Sequence, residues 1–139
     1  MRVAIVTPVF NDWISLSCLI EALEVVELPG NIQFSLLVID DGSSEPATIA
    51  CSLQTLRRTR EIEIIGLACN LGHQRAIAVG LVEVSSRGGF DAILVMDSDI
   101  HVPMSGLWSH MGALDTGLQT GQPRIGGVAT LSLIARLST

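Results

Sequence analysis

Along this chain the apolar residues alternate between two spacings, short continuous runs and stripes three and four residues apart, and the switch repeats several times. Residues 2–7 (RVAIVT) form a β-branched run ahead of Pro8, which predicts a first strand ended by the proline. Asn11 or Asp12 then caps a helix in which Leu16, Leu19, Ile20 and Leu23 share a face, and Pro29, Gly30 and Asn31 stop it. Residues 33–39 (QFSLLVI) predict a second strand running into Asp40, Asp41, Gly42, Ser43 and Ser44. Pro46 fits the first position of a second helix, carried by Ile49, Leu53 and Leu56 and closed by Arg57, Arg58, Thr59 and Arg60. Residues 61–66 (EIEIIG) alternate, as expected of a third strand near a sheet edge. Ile77, Leu81 and Val84 mark a third helix that ends at Arg87, Gly88 and Gly89. Residues 92–101 (AILVMDSDIH) read as a buried strand that presents two carboxylates, Asp97 and Asp99, at its tip. Past it, Pro103 opens a helix with Met104, Leu107, Trp108 and Met111 on one stripe, and residues 118–139 fit a loop followed by a strand or a helix.

Strands alternating with helices predict an α/β domain, a mainly parallel sheet with helices on both faces, formed by residues 1–139 as one unit. Ligands of such sheets sit beyond the carboxyl ends of the strands. The loops leaving those ends are residues 8–12, 40–44, 68–75 and 97–101, so every unusual polar cluster falls on one edge.

Composition narrows the choice of ligand. A chain of 139 residues, 48% apolar and 16% charged, suffices for one domain that buries roughly two thirds of its unfolded surface. The net charge of −6 and the complete lack of lysine argue against a nucleic-acid surface, so any phosphate must be met by arginine, backbone N–H groups or a metal. No apolar run reaches the ~18 residues of a membrane span, and no signal-peptide layout follows Met1. The expected location is the cytoplasm, with the cytoplasmic membrane face as an alternative. Cys18, Cys51 and Cys69 are widely spaced without a C-x-x-C pair, and are expected to be reduced thiols in or near the core.

Four carboxylates on one rim, Asp40, Asp41, Asp97 and Asp99, would repel an anionic ligand unless a divalent cation reversed the sign. For Asp40 and Asp41 the alternative is an Asx-type turn with a helix cap, and for Asp97 and Asp99 a capping turn. His101 could complete a metal shell or simply be a solvated loop histidine. His73 and Arg75 open a helix whose N-terminal amides would favour an anion, unless that stretch is only a surface cap. His110, within the last predicted helix, reads as surface or packing.

Taken together, the four loops resemble those of family 2 glycosyltransferases with the GT-A fold. Pro8, Val9, Phe10, Asn11 and Asp12 are similar to that family's P-x-Y-N-E loop, residues 38–43 (VIDDGS) to its V-D-D-G-S, and Asp97, Ser98 and Asp99 to its D-x-D. Residues 70–81 (NLGHQRAIAVGL) resemble the N-x-G-H-Q-x-A-x-x-x-G-L of the polyprenyl-phosphate and dolichol-phosphate sugar transferases, whose D-x-D is followed by L-Q-x-P where this chain has Ile100, His101, Val102 and Pro103. The resemblance covers residues 1 to about 103. It implies a Rossmann-like GT-A nucleotide-binding sandwich and an inverting transfer of a sugar from a UDP- or GDP-linked donor, with a polyprenyl phosphate as one acceptor. Pro8, Phe10 and Asp12 would line the base pocket, and Asp40 or Asp41 would hold base or ribose. Gly72, Gln74, Arg75 and Asp97 would complete the nucleotide site, with Asp97, Asp99 and His101 around Mg²⁺ or Mn²⁺.

Phe10 stands where the family has tyrosine, Asp12 where it has glutamate, and His101 where it has glutamine. Family members continue well past this length into an acceptor half, so no catalytic base is assigned; Arg124 and Arg136 are the arginines left in that region. A catalytically silent nucleotide-binding or interaction domain is therefore the leading alternative, and self-association into a homo-oligomer stays open. A haloacid-dehalogenase-type phosphatase also uses D-x-D, but this chain has neither the Thr or Val expected four residues after the nucleophile nor a lysine. The missing lysine likewise excludes a response-regulator receiver, and no G-x-G-x-x-G follows the first strand.

Overall fold

The computed structural model describes residues 1–26, 32–50 and 56–99, together with the backbone of residues 134–135. The elements are β1 (Arg2–Val9), α1 (Trp13–Val25), β2 (Gln33–Asp40), β3 (Thr59–Gly66), α2 (His73–Arg87), β4 (Ala92–Val95) and β5 (Ile134–Ala135). They form one sheet in the order β3-β2-β1-β4-β5. The first four strands are parallel and β5 runs antiparallel along β4.

Side chains alternate across this sheet, and the alternation divides the core in two. Val3, Ile5 and Val9 of β1, with Phe34, Leu36 and Val38 of β2, face the α1 stripe of Leu16, Leu19, Ile20 and Leu23. Ala4, Val6, Leu37 and Ile39 face the other way, onto Ala76 and Val84 of α2. β1, β2 and β4, the strands that lie between two neighbours, are apolar on both sides, which explains their continuous apolar runs. Close contact between α2 and the sheet depends on Gly80. A Cβ there would lie 2.4 Å from Val6 Cγ1 and 3.1 Å from Ile39 Cγ1.

Three expectations need correction: Cys18 and Cys69 are free thiols but exposed rather than in the core, and two elements differ from their predicted bounds. The first strand does not end at Pro8, because the proline interrupts one ladder and spares the other. The Met96 N–H donates to the Val6 carbonyl, and the β1–β4 register ends at Val6 and Val95; Pro8 faces the same side and has no N–H to carry it further. On the opposite side β1 stays paired with β2 as far as Val9 and Asp40, where the Asp41 N–H donates to the Val9 carbonyl. The second predicted helix is also absent from residues 46–50 and 56–58, and Thr59 and Arg60 belong to β3. Glu24, on the last turn of α1, takes up the backbone there: its carboxylate accepts from the N–H groups of Arg57, Arg58 and Thr59 at 2.6, 3.1 and 2.7 Å. Burial pushes that carboxyl up, but the three amides outweigh it and hold the pKa below the ordinary value.

The edge position of β3 and the end of α2 at Gly88 agree with the sequence reading. Asp12 is the α1 cap, its Oδ1 accepting from the Ser15 N–H, and the helix closes at Val25. The stop at Pro29, Gly30 and Asn31, the residues Cys51, Leu53, Ile100 and His101, the helix from Pro103 with His110, and the side chains of residues 118–139 lie outside the described residues. No helix among the described residues is long and apolar enough to cross a membrane.

Candidate functional site

Because the first four strands are parallel, their carboxyl ends gather Phe10, Asn11 and Asp12, residues 40–45, residues 67–72 and residues 96–99 along one rim. The seam between the β1 and β2 tips is closed by Asn11. It adopts a positive φ of 53°, a conformation asparagine tolerates better than most residues. From there its N–H donates to Ser43 Oγ at 2.9 Å, and its Oδ1 accepts from the N–H groups of Ser44 and Glu45 at 2.9 and 3.2 Å. Asp40 Oδ1 accepts from the Ser43 N–H at 2.9 Å, the Asx-type turn that the sequence offered as one alternative.

Asp41 does different work. Only 3% exposed, it accepts the Leu71 N–H on Oδ1 at 2.7 Å and the Gly72 N–H on Oδ2 at 2.9 Å. Both oxygens therefore bind the loop that enters α2. Gly42 lets that loop approach: its φ is +75°, and a Cβ there would lie 2.7 Å from the Asn70 nitrogen and 2.8 Å from the Cys69 carbonyl carbon. Gly72, with φ +91°, is the N-cap of α2 and supplies no side-chain cap, which leaves the first turn to His73, Gln74 and Arg75, all exposed.

At the β4 tip the supply of donors among the described residues is thinner. Asp97, with a side chain 25% exposed, lies 3.1 Å from His73 through Oδ1 and Nε2. Burial pushes the Asp97 carboxyl above its ordinary pKa; His73 opposes that shift and the nearby charge of Asp99 adds to it. The two carboxylates are thus close enough to repel each other. A cation between them would relieve the cost, and Mg²⁺ is commonly held by one or two carboxylates with substrate phosphates filling the remaining positions. Among the described residues no group of three His, Cys, Asp or Glu side chains forms a protein-only metal cage. The donor set fits a cation shared with a phosphate ligand.

The other expected site residues are spread along the same edge. Phe10 is 51% exposed, Asp40 half-buried, Gly72, Gln74 and Arg75 lie at the start of α2, and Asp99 is exposed. Pro8 is buried within β1, and Asp12 spends one oxygen on the α1 cap. The sequence reading did not connect His73 with Asp97, or Asp41 with residues 71 and 72. The G-H-Q stretch and the D-D-G stretch are each visible in the chain, but nothing local says that they meet.

A family model described as glycosyl transferase family 2 matches residues 4–120. An undecaprenyl-phosphate 4-deoxy-4-formamido-L-arabinose transferase of Yersinia pestis (strain Pestoides F) is 30% identical over 102 residues, 73% of this chain and 30% of that protein. YkoT of Bacillus subtilis (strain 168), an uncharacterized glycosyltransferase, is 30% identical over 70 residues, 50% of this chain and 20% of its own length. The chain thus spans less than a third of either relative. Among solved structures, S. aureus TarS 1–349 in complex with UDP-GlcNAc superposes with a TM-score of 0.58 at 20% identity, over 84% of this chain and 32% of that one. This likeness bears out the α/β sandwich of GT-A type.

Proposed function

This chain belongs to glycosyl transferase family 2, and on that premise we propose that it holds the donor of a metal-dependent, inverting glycosyl transfer. The donor would be a UDP- or GDP-linked sugar. The observation that carries this reading is the rim itself, where a mutually repelling carboxylate pair, Asp97 and Asp99, stands beside the N-terminus of α2. A helix start offers backbone N–H groups and a positive dipole end to a phosphate, and Arg75 on its first turn adds a full charge. The exposed ring of Phe10 offers a stacking face to the base, and Asp40 Oδ2 can accept a hydrogen bond from base or ribose while Oδ1 stays with Ser43. Pro8 and Asp41 are buried and would support this pocket rather than line it, while half-buried Asp12 keeps one oxygen on the α1 cap. Mg²⁺ or Mn²⁺ held at Asp97 and Asp99, with His101 nearby in sequence, would supply charge stabilisation for the departing nucleoside diphosphate.

A polyprenyl phosphate is the acceptor that the Yersinia pestis relative suggests, and it would put the reaction at the cytoplasmic face of a membrane. Such an acceptor is already anionic, so it calls for a docking cation more than for a general base.

Calorimetric titration with UDP, GDP and their sugar conjugates, with and without Mn²⁺, tests the proposal. Metal-dependent binding that disappears in an Asp97→Ala, Asp99→Ala double variant is the expected result. A folded protein that binds no nucleoside diphosphate under either condition would refute it.

A further inference from the structure

Between the tips of β2 and β4 runs a continuous line of contacts that the donor-site reading does not use. It begins at Asp41, whose two buried carboxylate oxygens hold the N–H groups of Leu71 and Gly72. The next residue, His73, opens α2 and places its Nε2 3.1 Å from Asp97 Oδ1. Loop 69–72 has little room to shift, because it is pressed against Gly42. At the far end, β4 loses its pairing to β1 after Val6 and Val95, since Pro8 offers no N–H beyond that point. The carboxylate expected to face the cation therefore sits beyond the last pair that β4 makes with β1, and among the described residues His73 is its only hydrogen-bonding or ionic side-chain partner.

We propose that His73 is a positioning residue that fixes the orientation of Asp97 for the cation-bound diphosphate, with Asp41 as the anchor that holds His73 in place. This rests on the donor-site reading above. Held through Oδ1 by the imidazole, Asp97 keeps Oδ2 as the oxygen that can meet a cation. A carboxylate without that restraint must lose rotamer freedom each time the metal arrives. Residues that orient a metal ligand from behind commonly affect metal affinity ~10–100-fold when removed. His73 has a half-exposed side chain, so its replacement removes the restraint without removing core packing.

The test is Mn²⁺ affinity of the full 139-residue chain at saturating UDP or GDP, read by calorimetry alongside thermal denaturation. His73→Ala should weaken Mn²⁺ binding about tenfold with an unchanged thermal midpoint. His73→Gln carries an N–H donor at nearly the place of Nε2 and should recover most of the loss, which a merely structural contact would not require. Asp41→Asn cannot accept both amides and should weaken Mn²⁺ binding in the same direction even though it touches no ligand. Wild-type affinity in His73→Ala, or equal losses in His73→Ala and His73→Gln, would overturn the inference while leaving the donor site standing. No Mn²⁺-dependent nucleotide binding in the wild type would overturn both.

Discussion

The tips of β2 and β4 each carry two aspartates, yet the two pairs live in different surroundings. At the β2 tip, Asp41 is sealed beneath two backbone amides and Asp40 is half spent on a turn, so the acidic groups complete the architecture. At the β4 tip, Asp97 has one imidazole partner, Asp99 is exposed, and burial and repulsion raise the Asp97 pKa. The same residue type thus serves as internal cement in one place and as an unbalanced charge in the other. Among the described residues, what separates them is the count of backbone N–H donors: the β2 tip receives the loop before α2, and the β4 tip has lost its β1 partner at Pro8.

Removing the cement should cost most. Asp41→Ala leaves two amides without their acceptor, and chemical denaturation should show a loss of about 2–4 kcal/mol. Gly42→Ala attacks the same junction by sterics, forcing a Cβ to within 2.7 Å of the Asn70 nitrogen at a positive φ; a loss of about 1–3 kcal/mol is expected in the same assay.

The β4 tip should respond with the opposite sign. A carboxyl whose pKa is raised by folding binds its proton more tightly in the folded chain, so its ionisation lowers stability as pH climbs through the raised value. Asp97→Asn should therefore match the wild type below the ordinary carboxylate pKa of ~3.9 and exceed it in stability at pH 7. Denaturation midpoints measured from pH 3 to pH 8 would show the two curves parting as pH rises. The smallest effect on stability belongs to Phe10→Ala, within about 0.5 kcal/mol because the ring is half exposed, while nucleotide affinity measured by calorimetry should fall.

Much of this molecule can be read from the chain because its core obeys simple periods. Leu16, Leu19, Ile20 and Leu23 are buried as their spacing demands, and the strand runs before Asp40 and Asp97 stand where the sheet needs them. What escaped the reading depends on partners distant in sequence. Pro8 looked like a strand end because a proline's effect depends on which neighbour its missing N–H would have faced. Residues 57–60 looked like a basic helix end because nothing local shows that Glu24 receives their amides. Asp41 looked equivalent to Asp40 because its amide donors lie thirty residues on, at Leu71 and Gly72.

A crystal of the protein grown with Mn²⁺ and a nucleoside diphosphate would test the contrast between the two tips directly, since manganese can be located by its anomalous scattering. The ion should lie at ~2.0–2.2 Å from a carboxylate oxygen of Asp97 or Asp99, with Asp41 still bound to the amides of Leu71 and Gly72. Manganese at Asp40 or Asp41, or an Asp41 that leaves its amides to meet the nucleotide, would contradict the division of roles between the two tips.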